Sequence, residues 1–247
     1  MRTIYASTFA NAFKMANTHA ILTPDFVSET RIGKAYEILN LGIVVNDPRT
    51  FVFNQDPEIN RISYKYAEDF WSFMISGGTD AQEAFKAYPQ VSKFLDKPKS
   101  TELPANFNTF YGPRIAEQYP MMFDEMVRSP NTRRAVITIL DGGDAALLDK
   151  DETLEYPCTI SYSFQIRNKT LFMSTVMRSQ NLATVFQLDI YLQGKLLKKL
   201  ADELDEAGVE IERTHWTGFL QNAHVFERDE AYVNTFRPAS EPLGLRL

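Results

Sequence analysis

Apolar residues at Phe9, Ala12, Phe13, Ala16 and Ala20 recur at helical spacing after Ser7, so the first element is expected to be an amphipathic helix capped by Ser7, its stripe facing the core. Residues 35–46 (AYEILNLGIVVN) read as a strand, and residues 62–75 carry an aromatic-rich helical pattern that ends at Gly77-Gly78. Thr79 is expected to cap a short helix through Ala87. Residues 97–114 hold three prolines and few periodic apolar positions. They read as one long irregular stretch, a kind of segment that is usually functional.

The second half is more regular. Residues 134–140 alternate as a strand, and 159–167 and 170–177 read as two strands joined at Asn168-Lys169 in a hairpin turn. Phe186, Ile190, Leu197, Leu200, Ala201 and Leu204 mark a long buried helix from Phe186 to Glu206, with Gly208 ending it. Residues 209–226 return to strand. Nothing repeats at a fixed period, strands and helices mix without regular βαβ alternation, and no GxGxxG or GKS/GKT phosphate loop occurs. The fold class expected is α+β.

Composition narrows the function. The chain has 247 residues, with 26 Lys+Arg against 32 Asp+Glu and a net charge of −6. That length suffices for a large core without staples. The acidic balance argues against a generic nucleic-acid surface, whose affinity comes from neutralising phosphates, but it leaves room for a local arginine cluster. A single cysteine rules out an intramolecular disulfide and points to a reducing compartment. No apolar run is long enough for a membrane span, and Asn11, Lys14, Asn17 and His19 interrupt any signal-type segment. A soluble, cytoplasmic protein is expected.

Cys158 follows Pro157 at the start of an expected strand. Alone, such a cysteine reads as a small buried hydrophobe, and it becomes a nucleophile only where positive charge favours the thiolate. Arg133-Arg134 stand directly before one strand, and Arg178-Ser179 end another. Each alone reads as surface charge; together they are the makings of a phosphate clamp, because guanidinium forks match phosphate oxygens bidentately.

Pro157-Cys158 followed twenty residues later by Arg178-Ser179, with Arg133-Arg134 upstream in SPNTRRAVITI, resembles the thymidylate synthase family. Glu68-Asp69-Phe70-Trp71 is similar to that family's Glu-x-x-Trp helix, Tyr111-Gly112 to its Tyr-Gly loop, and Asn222-Ala223-His224-Val225-Phe226 to its Asp-x-His-x-Tyr strand. The resemblance runs from about Phe26 to about Asp229. It implies one thymidylate synthase-like domain over residues 1–247, a mixed sheet flanked by helices, and a homodimer across the sheet. By the same resemblance Cys158 adds to ring carbon 6 of a pyrimidine nucleotide, and Arg178, Ser179, Arg31 and the partner subunit's copies of Arg133 and Arg134 hold the 5′-phosphate. Glu68 acts as general acid and water organiser, Tyr111 assists proton removal from ring carbon 5, and His224 meets the sugar. Asn181 and Trp71 face the co-substrate 5,10-methylenetetrahydrofolate; no metal is implied.

Asp189, eleven residues after Arg178, stands where thymidylate synthases keep an Asn that reads uracil. Cytosine inverts uracil's pattern, presenting a ring-nitrogen acceptor and an amine donor. A carboxyl bearing one proton can answer both, and the wrong base leaves buried polar groups unpaired. The phage deoxycytidylate hydroxymethylases of this superfamily carry the same Asp, and a Thr where Thr159 stands. The resemblance therefore favours dCMP and a 5-hydroxymethyl product. A methyl product, or uridylate as substrate, stays open. Three positions depart from the family: Asn181 replaces an Asp that meets the pterin, Val185 replaces a Gly, and Phe226 replaces a Tyr that bonds the sugar, which leaves CMP open. A non-catalytic nucleotide- or RNA-binding protein is the competing class. A metal or hydrolase site is disfavoured, since His19, His215 and His224 lack ligand spacing.

Overall fold

The computed structural model of the chain describes residues 1–46, 48, 53, 57–78, 111–149 and 156–235. The helix expected over 79–87, residues 97–110 of the irregular stretch and the tail after residue 235 lie outside them. The elements are β1 (Arg2–Ala6), α1 (Phe9–Leu22), β2 (Phe26–Thr30), β3 (Gly33–Val45), α2 (Tyr64–Ile75), α3 (Tyr111–Arg128), β4 (Val136–Thr138), β5 (Thr159–Arg167), β6 (Thr170–Met177), β7 (Gln180–Asn181), α4 (Phe186–Glu206), β8 (Arg213–Phe226) and α5 (Glu230–Thr235).

The strands form one mixed sheet in the order β1-β3-β8-β6-β5-β4, with β2 paired to β3 and β7 to β8. β1 runs parallel to β3 and β6 parallel to β8, while β3–β8, β5–β6 and β4–β5 are antiparallel. In β8, Thr214, Trp216, Gly218 and Leu220 are buried and the residues between them are half-buried, the period of a sheet with one face under helices. Trp216 shows what covers that face: Phe9 of α1 meets its ring edge-on at 5.1 Å, and its indole N–H donates to Gln193 of α4 at 2.9 Å. The architecture is α+β.

Local chemistry accounts for several boundaries. The β5–β6 turn holds Asn168 at φ 49° and Lys169 at φ 57°, the two left-handed residues of a tight hairpin. Helix α4 spans the expected residues, and Gly208 follows at φ 87°. Helix α1 is capped by Thr8 rather than Ser7. The Thr8 hydroxyl accepts from Asn11 N at 3.1 Å, while Ser7 takes the Asn11 side chain. A strand, β1, precedes that helix, so the first element differs from the one expected.

The expected irregular stretch also ends early, because α3 begins at Tyr111. Pro113 sits in its first turn, where the backbone N–H has no helical partner to lose. Gly112 lies against α2 so closely that a Cβ there would sit 2.5 Å from Met74 O; only glycine permits that approach. β4 is shorter than expected, and β8 starts at Arg213 rather than 209.

One irregularity organises the sheet. Buried positions step by two along β6 and along β8 from Thr214 to Leu220, and at a shared level the step is three: Ile38 to Leu41 in β3, Leu220 to Ala223 in β8, and Met177 of β6 to Gln180 of β7. Asn40, at φ 54°, makes the step in β3, a backbone region that Asn tolerates. Met177 pairs with Leu220 and Gln180 with Ala223, so β6 and β7 are one strand path broken at Arg178-Ser179. The β5 register slips at the same level, between Thr159 and Ser161. Such steps bend a sheet and re-aim its side chains.

Candidate active site

The break places Cys158 opposite Arg178, whose backbone N–H donates to Cys158 O at 2.8 Å. The Arg178 side chain then turns back over the cysteine segment: Nε donates to Pro157 O at 2.9 Å, Nη2 donates to Tyr156 O at 2.6 Å, and Nη2 lies 3.7 Å from Cys158 Sγ. Its guanidinium also stacks over the Tyr156 ring at 4.8 Å. Cys158 is half-buried, so its sulfur has both a cation and access. Ser179 follows at the break, half-buried.

Tyr111, at the start of α3, reaches the same place. Its hydroxyl accepts from Thr159 N at 3.4 Å and Thr159 Oγ1 at 3.3 Å. Burial, with the negative charge of Asp189 second, pushes the Tyr111 phenol well above its usual 10, so it keeps its proton and works as a hydroxyl rather than a phenolate.

Asp189 enters from the first turn of α4. Burial pushes its carboxyl up from 3.8 to about 7, against the opposing pull of Gln180, whose Nε2 donates to Asp189 Oδ2 at 2.9 Å. An aspartate that carries a proton at neutral pH can donate as well as accept. Gln180 is a site residue that the sequence reading did not single out; a polar side chain beside the Arg-Ser pair was the available signal.

Glu68 of α2 faces α4. Tyr191 donates its hydroxyl to Glu68 Oε1, and Lys195 Nζ donates to the same oxygen at 3.0 Å. These contacts, Tyr191 first, hold the Glu68 carboxyl below its usual 4.5 although burial opposes them. That direction suits the water-organising half of the role expected for Glu68 and not the general-acid half. Lys195 also lies 5.8 Å over the ring of Trp71. Neither Tyr191 nor Lys195 was foreseen.

His224 belongs to a chain of side chains across three strands. Ser28 of β2 donates to Glu37 of β3, Asn222 Nδ2 donates to Glu37 Oε1 at 2.7 Å, and Asn222 Oδ1 lies 3.0 Å from His224 Nδ1. A carboxylate only accepts, so Glu37 fixes the Asn222 amide. Its oxygen then demands a proton on His224 Nδ1, leaving Nε2 as an acceptor. Burial lowers the His224 pKa, with Glu37 opposing. Asn181 pairs with His224 in the sheet, and its Oδ1 accepts from Thr184 N at 3.2 Å. Phe226 is buried, its ring 5.0 Å from that of His224.

The remaining arginines lie elsewhere in the chain. Arg31 is exposed in the turn between β2 and β3. Arg133 is exposed, and Arg134 is engaged by Glu125, to which its Nε and Nη2 donate at 3.0 and 2.7 Å. Among the described residues no group of three or more His, Cys, Asp or Glu side chains could hold a metal, and no helix is long and apolar enough to cross a membrane.

Known proteins bear on this geometry. No family profile matches the chain. A protein of Methanococcoides burtonii that carries the provisional name thymidylate synthase is 24% identical over 203 residues, covering 82% of this chain and 79% of its own. The deoxycytidylate 5-hydroxymethyltransferase of Enterobacteria phage T4 is 24% identical over 188 residues, covering 75% of this chain and 72% of the enzyme. These likenesses support a thymidylate synthase-like family for the chain. A Methanosarcina acetivorans protein with the same provisional name is also 24% identical, over 82% of this chain and 79% of its own length. These relatives are named on both sides of the uridylate–cytidylate choice, so the substrate has to be argued from the site.

Proposed function

We propose that this chain, as one thymidylate synthase-like domain, transfers a one-carbon unit to ring carbon 5 of deoxycytidylate and releases 5-hydroxymethyl-dCMP. The observation that carries this reading is the setting of Asp189: its Oδ2 accepts from Gln180 Nε2 at 2.9 Å, and desolvation pushes its carboxyl up from 3.8 to about 7. In its protonated form it matches cytosine's ring nitrogen and amine, and the carbonyl and N–H of uracil suit it poorly.

In this mechanism the Cys158 thiolate, beside Arg178, adds to ring carbon 6. The electron pair of the ring double bond makes carbon 5 nucleophilic, and the Asp189 proton offsets the charge that gathers on the ring nitrogen. Bound methylenetetrahydrofolate would supply the carbon. The residues present suit it: Trp71 offers a half-buried aromatic face beside Glu68, and the Asn181 carboxamide has its oxygen occupied by Thr184 N, leaving its nitrogen to donate. Tyr111, protonated, relays the proton leaving carbon 5. Glu68, held ionised by Tyr191 and Lys195, orients and deprotonates the water that hydrates the exocyclic methylene on the base; the Cys158–carbon 6 bond then breaks, which restores the ring double bond and returns the thiolate. Similarity to the phage deoxycytidylate hydroxymethyltransferase favours hydroxymethylation over methylation.

The phosphate falls to Arg178, Ser179 and Arg31, with Arg133 and Arg134 supplied across a homodimer. The sheet face opposite the helices, which carries Phe172, Val176, Thr217 and Phe219 half-buried, is the surface proposed for that dimer. Phe226 favours a second reading at the sugar: with no hydroxyl there, His224 alone meets the ribose and CMP becomes a competing substrate.

The test is to incubate the protein with methylenetetrahydrofolate and dCMP, dUMP or CMP in turn and follow nucleotide mass. Gain of one CH2O unit on dCMP is expected. Turnover of dUMP alone overturns the role given to Asp189, and gain of CH2 overturns the hydration step.

A further inference from the structure

Gln180 is 1% exposed on the two-residue strand β7. Its Nε2 donates to Asp189 Oδ2 at 2.9 Å and reaches Asn181 O at 3.4 Å, while its Oε1 is buried without a hydrogen-bond partner. An N–H donates only to an oxygen with a free lone pair. The carbonyl oxygen of a protonated carboxyl is its better acceptor, so the bond favours Oδ2 as the accepting oxygen and Oδ1 as the one that carries the proton. A buried acceptor without a donor is destabilising, and such orphans in native proteins call for an explanation.

We propose that Gln180 is a specificity-determining positioning residue: it fixes Asp189 with one oxygen accepting and the other donating, and its orphaned Oε1 leaves the cluster short of a donor. An exocyclic amine meets that deficit and a carbonyl oxygen does not. The inference rests on the cytidylate reading and deepens it, since base choice then belongs to two side chains. The titratable groups that feel the charge of Asp189 are Tyr111 at the start of α3 and Tyr162 within β5, and Tyr111 feels in turn that of Cys158 ahead of β5. Burial raises both phenols, so both are neutral near pH 7 and leave Gln180 as the near donor that moderates the carboxyl.

The experiment compares wild type with Gln180→Met, which keeps the length and removes both polar atoms, and with the shorter amide Gln180→Asn in case the first does not fold. Two quantities are read: the Asp189 titration midpoint in the ligand-free protein, by carboxyl-carbon NMR, and kcat and KM for dCMP and dUMP. The expected result is a midpoint moved upward together with about a tenfold loss of dCMP preference, carried mainly by KM. A purely structural role would leave the preference intact. Full preference retained in a folded variant, or an unmoved midpoint, overturns the role of Gln180 while the wild type still prefers dCMP. A wild type that prefers dUMP, or takes neither nucleotide, overturns the cytidylate reading and this inference with it.

Discussion

The guanidinium of Arg178 lies 3.7 Å from the sulfur of Cys158 while it holds the carbonyls of Tyr156 and Pro157. One side chain thus sets both the position of the sulfur and the charge beside it. Arg178→Ala is expected to slow alkylation of Cys158 by iodoacetamide at pH 7 by about tenfold, because the thiolate loses its cation. Arg178→Lys keeps the charge and loses the fork, so it should recover part of the rate. Mass spectrometry of the 158-containing peptide over time gives both rates, and equal rates in all three proteins would remove Arg178 from the account of the nucleophile.

Asp189 makes stability depend on pH in a particular direction. Its folded-state value, about 7, lies above the ordinary 3.8, so the folded chain binds this proton more tightly than the unfolded one. The contribution to stability is fully present below pH 3.8 and is lost as pH rises through about 7. Asp189→Asn removes the penalty of an unprotonated buried carboxyl. It should raise the Tm at pH 8 by about 2–6 °C, with the gain falling away as pH is lowered toward 3.8. Calorimetry across that range tests it; a gain independent of pH would mean that the carboxyl does not titrate where its burial implies.

Much of the fold was legible where one local signal decides. The Asn168-Lys169 hairpin and the helix ended by Gly208 follow from turn chemistry and period alone. β1, β2 and α5 were missed because five- or six-residue elements carry too little periodicity, and α3 because its prolines read as loop signals although Pro113 occupies a harmless first-turn position. Within the site, Cys158, Arg178 and Asp189 could be named from spacing and resemblance. Gln180 had only its place beside Arg178-Ser179 as a signal, and Tyr191, Lys195 and Glu37 had none. Each of those three matters through a partner far away in sequence, and no local pattern announces such a pairing.

The Glu68 cluster supplies a kinetic prediction. Its carboxyl lies below the usual 4.5 because Tyr191 and Lys195 donate to it, and in the proposed reaction an ionised Glu68 activates water. Loss of a donor must raise that pKa. Lys195→Met should move the acid limb of kcat/KM against pH upward, and Tyr191→Phe should move it further, since that contact is the larger cause. A limb that stays in place in both variants would show that Glu68 does not set it.

Glu37 is linked through Asn222 to His224, the residue proposed to meet the sugar. Glu37→Ala frees the Asn222 amide to turn and His224 to change tautomer. The KM for dCMP is expected to rise by about tenfold with kcat nearly unchanged. The difference between wild type and variant should vanish with 2′,3′-dideoxycytidylate, which has no 3′-hydroxyl for His224 Nε2 to accept from. A difference that persists would assign Glu37 to structure alone.

In the proposed reaction Cys158 activates ring carbon 5 of a cytosine nucleotide that Asp189 selects. The most direct measurement is tritium release from [5-³H]dCMP and [5-³H]dUMP in the presence of methylenetetrahydrofolate, because substitution at carbon 5 must expel that hydrogen whatever product follows. Rapid release is expected from dCMP, far less from dUMP, and none from either with Cys158→Ala. No release from dCMP, or release that survives the loss of Cys158, would contradict it.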